Sequence, residues 1–129
     1  MRNVLVRRRG GFTLIELLVV MTIIATLLTI AVPRYFRSLE RSREAVLHQD
    51  LTTLRESIDN FYGDTGKYPE TLAALVEKHY LRAIPVDPIA KTAEKWVLTL
   101  AEEPEDNGVR DVHSGAEGAG QDGVPYALW

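Results

Sequence analysis

Arg7-Arg8-Arg9-Gly10-Gly11-Phe12-Thr13-Leu14-Ile15-Glu16 is the stretch on which the reading of this chain turns. A basic run meets two glycines, then an aromatic, then a carboxylate at the edge of an apolar span. Residues 17–32 carry no charge, and Glu16 is the only charge between Phe12 and Val32. As a helix, residues 12–32 reach about 30 Å, the hydrocarbon thickness of a bilayer. An ionisable group in such a span costs about 2.5–3.5 kcal/mol on insertion scales, so Glu16 calls for a partner. Arg2, Arg7, Arg8 and Arg9 precede the span and no acidic residue does. That asymmetry keeps the N-terminus cytoplasmic and exports the chain beyond Val32. A secretory signal peptide places its small residues after the apolar core, whereas Gly10 and Gly11 stand before it.

Gly11-Phe12-Thr13-Leu14-Ile15-Glu16 resembles the processing site of type IV pilins and of the pseudopilins of type II secretion systems. The resemblance implies a leader of residues 1–11 and a cut between Gly11 and Phe12 by a membrane peptidase. The same enzyme would N-methylate Phe12. Glu16 then becomes the fifth mature residue, where the family keeps its glutamate, and Pro33 the twenty-second, where it often keeps a proline. Physical reasons stand beside the likeness. Glycine leaves an extended backbone unobstructed in a protease cleft. In a low-dielectric bundle, a neighbour's new amine would neutralise Glu16. Pro33 lacks an amide donor and is expected to kink or locally melt the helix.

Composition fits a small, anchored, exported domain. Residues 33–129 suffice for one compact domain. The chain holds fifteen basic and eighteen acidic residues; four of the basic ones lie in the leader, so leader removal takes the formal charge from −3 to −7. An acidic domain excludes nucleic acid as an expected partner. There is no cysteine, hence no thiol chemistry or thiolate metal site. Many type IV pilins carry a C-terminal disulfide loop, so its absence leans toward a pseudopilin.

Leu47, Leu51, Leu54 and Ile58, with Phe61 and Tyr62 closing the run, recur at helical spacing and mark the helix face that packs on the domain. Gly63-Asp64-Thr65-Gly66 stops the helix. A short amphipathic helix is expected over residues 70–78, and Tyr68 and Pro69 before it are read as packing residues. Asp87 is assigned a local turn bond. Residues 95–101 read as a strand, 102–107 as an acidic turn and 108–113 as the partner strand. Residues 114–123 form a glycine-rich loop, and Val124, Tyr126, Leu128 and Trp129 are expected to tie its end to the domain.

The tail resembles the calcium loop of major pseudopilins. Gly115-Ala116-Glu117-Gly118 matches a G-A-D-G step with Glu117 for aspartate, Asp122 matches the second acid, and Trp129 the closing aromatic. That likeness implies Ca2+ held by Glu117 and Asp122, with backbone oxygens and water completing the shell. Gly123-Val124-Pro125-Tyr126 departs from the family's acidic continuation, and a plain surface loop is the alternative. No nucleophile elbow, phosphate loop or zinc-helix motif occurs. His113 and Ser114, as neighbours on a strand, point to opposite faces. No enzyme is expected.

The fold expected is α+β and pilin-like, a long N-terminal helix, half transmembrane and half amphipathic, packed on a small antiparallel sheet. Its divisions are the leader 1–11, the membrane or filament-core helix 12–33, the amphipathic continuation 34–62 and the exported domain 63–129. The function implied by the resemblance is a structural subunit of the type II secretion pseudopilus, polymerising through its N-terminal helix to drive export across the outer membrane. Its partners would be further copies of itself, the prepilin peptidase/methyltransferase, an inner-membrane assembly platform, minor pseudopilins and membrane lipid. It would cross the bacterial inner membrane once, with a periplasmic domain. A type IV pilin for motility or adhesion is the alternative, and a single-pass anchored binding domain a further one.

Overall fold

The computed structural model describes residues 10–129; Arg2, Arg7, Arg8, Arg9 and the rest of the leader up to residue 9 lie outside the described residues. The chain divides into two compact units, the first ending at Ser38 and the second comprising Leu39–Trp129. One helix, α1 (Leu14–Thr65), contributes to both.

In the first unit every described residue is exposed, from Phe12 at 95% to Val32 at 43%. This stretch of α1 is long and apolar enough to cross a membrane. Between Glu16 and Pro33 its only polar side chains are threonines, and the helix itself satisfies them. Thr22, Thr26 and Thr29 each donate a hydroxyl bond of 2.8 Å, to the carbonyls of Leu18, Thr22 and Ala25. Back-bonding of this kind removes the cost of a bare hydroxyl in hydrocarbon. Pro33 lies inside α1, and helix runs unbroken on both sides of it. The local melting expected there does not occur. Proline deletes a single bond of the ladder, and the intact turns around it keep the backbone helical.

In the second unit the helical stripe is the core. Leu47, Leu51, Leu54 and Ile58 are at most 1% exposed. Phe61 packs against them partly buried, whereas Tyr62 remains 39% exposed and stacks on Tyr68 instead. The helix passes Gly63 and Asp64 and ends at Thr65. Gly66 supplies the stop, with φ +72 and an amide bond of 2.8 Å to the Tyr62 carbonyl. The second helix, α2 (Leu72–Glu77), is shorter than expected because Thr71 caps it, its hydroxyl accepting from the Ala74 amide at 3.2 Å. Leu72 and Leu75 join the core. Pro69 is fully buried and its carbonyl takes the Val109 amide at 2.7 Å.

Strands β1 (Val97–Leu100) and β2 (Val109–His113) pair antiparallel in a two-stranded sheet, Leu98 opposite Val112 and Leu100 opposite Val109. Both are shorter than the sequence suggests. The register shifts between Thr99 and Leu100, leaving Arg110 as the extra residue on β2. That bulge explains how Val109 and Val112, three apart, are both fully buried. All four residues of β1 are exposed, so β2 alone supplies the sheet's buried side chains. The result is the α+β, pilin-like arrangement anticipated: a long helix packed on a small antiparallel sheet. Trp96, Ala116, Tyr126 and Trp129 complete the core, while Val124 and Leu128 stay exposed and do not contribute to it.

Candidate processing and assembly site

Gly10 to Thr13 precede the helix, and the Gly11-Phe12 bond therefore sits in non-helical, exposed backbone. A Cβ added to Gly10 or Gly11 would meet nothing within 4 Å. Among the described residues, the fold places no steric demand for glycine there.

Helix α1 starts where it does because Thr13 and Glu16 cap each other. The Thr13 amide donates to Glu16 Oε2 at 3.0 Å, and the Glu16 amide to Thr13 Oγ1 at 3.2 Å. This reciprocal pair is a capping box, and the Thr-x-x-Glu spacing is its sequence signal, a second role for Glu16 beside the pairing that its place in the span suggests. The carboxylate is thus occupied by its own helix start. It also sits with Phe12, Leu17 and Val20 around a shallow apolar depression.

Pro33 lies in the same helix, about five turns further on, and makes no site with Glu16. Glu117 and Asp122, the expected calcium ligands, are both exposed. Asp122 Oδ1 accepts the Val124 amide at 3.0 Å, closing a turn of its own. The carbonyls of Gly118, Gly120 and Val124 accept from Tyr126, Gly123 and Gly120 at 2.9–3.1 Å. Among the described residues no three His, Cys, Asp or Glu side chains gather as a metal site. Calcium asks for six to eight oxygens. The tail offers two exposed carboxylates, one of them bonded, and three of its carbonyls are taken up in the loop's own bonds.

What holds the tail is a set of polar side chains on α1 outside its apolar stripe. Glu44 Oε1 accepts both the Gln121 amide and the Tyr126 hydroxyl, each at 3.0 Å. Arg41 Nε donates to Gln121 Oε1 at 3.0 Å. The His48 ring stacks on Trp129, centroids 4.0 Å apart and planes within 9°. Arg55 reaches Asp111 Oδ1, the Val112 carbonyl and the Trp129 main-chain oxygen at 2.7–2.9 Å. A side chain on Gly120 would strike the Trp129 ring at 2.4 Å, so only glycine permits that approach. Burial first, then the Glu44 hydrogen bond and the charges of Glu44, Glu40 and Asp122, pushes the Tyr126 phenol up to about 12.

The remaining candidates are structural. Asp87 Oδ1 takes the amides of Ile89 and Ala90, the expected local turn, and Asp87 Oδ2 accepts the buried Ser114 hydroxyl. His113 Nδ1 lies 2.6 Å from the Trp129 oxygen. The two neighbours therefore have separate partners, with β2 ending at His113 and Ser114 lying just beyond it.

Residues 6–32 match the family model described as a prokaryotic N-terminal methylation motif. The chain is 31% identical to type II secretion system core protein G of Dickeya chrysanthemi, over 92% of this chain and 82% of that protein. The protein of the same name from Klebsiella pneumoniae is also 31% identical, over 92% and 89%. That of Vibrio cholerae is 28% identical over 90% of each. No solved structure matches the chain significantly.

Proposed function

Since the chain belongs to the family of type II secretion system core protein G, the G-type pseudopilins, we propose that it is cut between Gly11 and Phe12 and polymerises through α1 into a periplasmic pseudopilus. The observation that carries this reading is the first part of α1. It is a wholly exposed apolar helix whose one carboxylate, Glu16, is bonded among the described residues to the backbone of its own first turn. Lipid covers such a surface before assembly and the same helix of other copies covers it afterwards.

In this reading the peptidase that removes residues 1–11 also methylates the Phe12 amine. The new amine of one subunit pairs with Glu16 of another, replacing the Thr13 bond within the bundle. Positive charge in the leader holds the N-terminus in the cytoplasm, and Leu39–Trp129 stands in the periplasm. Partners are further copies of the chain, the peptidase/methyltransferase, an inner-membrane assembly platform and minor pseudopilins. Growth of the filament drives folded proteins through the outer membrane.

The decisive experiment is a clean deletion of the gene, with exoproteins and surface filaments compared in one strain. Exoproteins trapped in the periplasm are the expected result. Loss of surface filaments with secretion intact would reassign the chain as a type IV pilin.

A further inference from the structure

We propose that the loop of residues 115–129 is closed by Glu44 of α1, a protein carboxylate, and needs no bound cation to organise it. The loop has to be fixed by something. It holds Gly115, Gly118, Gly120 and Gly123, each of which loses more freedom on ordering than any other residue. It also carries Tyr126 and Trp129, two buried aromatics that the core needs.

Glu44 meets the requirement from one atom. Its Oε1 receives the Gln121 amide from the tip of the loop and the Tyr126 hydroxyl from the returning limb, both at 3.0 Å. The two limbs are thereby pinned to a single point on a helix whose next turns are the core stripe Leu47 and Leu51. Hydrogen bonds to an ionised acceptor are about twice as strong as neutral ones. Arg41, one turn earlier, donates to Gln121 from the same helix and brings a positive charge to the tip. A guanidinium at that place opposes a cation and favours the carboxylate beneath it. His48, one turn later, presses its ring on Trp129. Arg41, Glu44 and His48 thus succeed one another at spacings of three and four on one helix face, each contributing its own bond or ring contact to the loop.

The loop's own groups complete the closure. Gly120 and Val124 bond across the tip at 2.9 Å, Gly123 returns to Gly120 at 3.0 Å, and Asp122 caps the Val124 amide. No buried side-chain nitrogen or oxygen among the described residues is left without a partner. The loop's buried side-chain polar groups are thus satisfied by protein partners alone. This inference is independent of whether the chain forms a secretion filament.

The test uses the full-length chain in detergent micelles, with hydrogen–deuterium exchange over residues 114–129 and thermal unfolding followed by tryptophan fluorescence. Both are run in EDTA and in calcium chloride at several millimolar, above the affinity range of extracellular calcium modules. The wild type should exchange and melt alike in the two buffers. Glu44→Ala should speed exchange in the loop severalfold while peptides over Leu47 to Ile58 stay protected, and calcium should not restore it. Should Glu44→Ala not accumulate as folded protein, Tyr126→Phe keeps the ring, removes one of the two bonds, and carries the same comparison. Calcium that slows loop exchange or raises the melting temperature by several degrees overturns the proposal. So does unaltered loop exchange in both variants.

Discussion

Glu16 shows how one carboxylate can serve two states of a chain. Its bonds with Thr13 fix the first turn of α1, and in the proposed filament its carboxylate would take a neighbour's amine. Glutamine supports a capping box as well as glutamate does, but it carries no charge. Glu16→Gln and Glu16→Ala therefore separate the two roles. Both should be processed to the mature form and both should fail to assemble, scored by cross-linking between subunits in whole cells. Normal cross-linking in Glu16→Gln with failure in Glu16→Ala would assign the residue to capping rather than to pairing. Gly11 allows a second residue-level test. Because no described residue crowds it, Gly11→Val should leave the melting temperature of the domain unchanged while uncut precursor accumulates, read by mass spectrometry of the N-terminus. A lowered melting temperature would mean that the glycine serves the fold instead.

Among the elements, α1 is the most legible in the sequence and its dealings with the tail the least. The spacing of Leu47, Leu51, Leu54 and Ile58 announces a buried face, and those side chains are the core. Leu54→Ala should cost about 2–5 kcal/mol in the denaturant unfolding of the second unit. Leu100→Ala should cost little, since that strand residue is 54% exposed. Equal losses would contradict the assignment of β2, rather than β1, as the packed strand. Periodicity cannot reveal Glu44, Arg55 or His48. The partners of the two charged residues lie 56 to 82 positions away, and no local pattern encodes such a contact. The same holds for the capping by Asp106, whose carboxylate takes the amides of Tyr68 and Gly108 from within what reads as a plain acidic turn. Val124 and Leu128 mislead for the opposite reason: apolar character alone suggests burial, yet short loops expose many apolar residues. The Tyr126 phenol, held up to about 12 against an ordinary value of 10.0, gives the loop a pH signature. Between those values the unfolded chain has lost its proton and the folded one has kept it, so stability falls as pH rises through that window. Tyr126→Phe should be less stable than wild type at neutral pH, and the gap should narrow toward pH 12 in thermal melts. A constant gap would mean that the phenol does not titrate with folding.

For the whole molecule, the long apolar span, the Gly-Phe junction and the α+β plan are all readable from the sequence, because each rests on local chemistry or on hydropathy. The calcium expectation rests on the likeness of the Gly115-Ala116-Glu117-Gly118 step, Asp122 and Trp129, and a motif fixes the order of residues without fixing where their oxygen atoms lie. The three back-bonded threonines of α1 have the widest reach. Each hydroxyl takes its partner from the turn below it, at 2.8 Å, and needs nothing from its surroundings. A helix built this way is indifferent to what it is dissolved in. Leaving lipid tails for a bed of protein side chains breaks none of these bonds and forms none. In a pseudopilus, extraction from the bilayer would then be opposed by exchange of one greasy contact for another and by little else. Between Glu16 and Pro33 the helix can also turn about its axis or slip lengthwise without a polar latch to release. That freedom suits a subunit drawn out of one medium and seated in another without being unfolded.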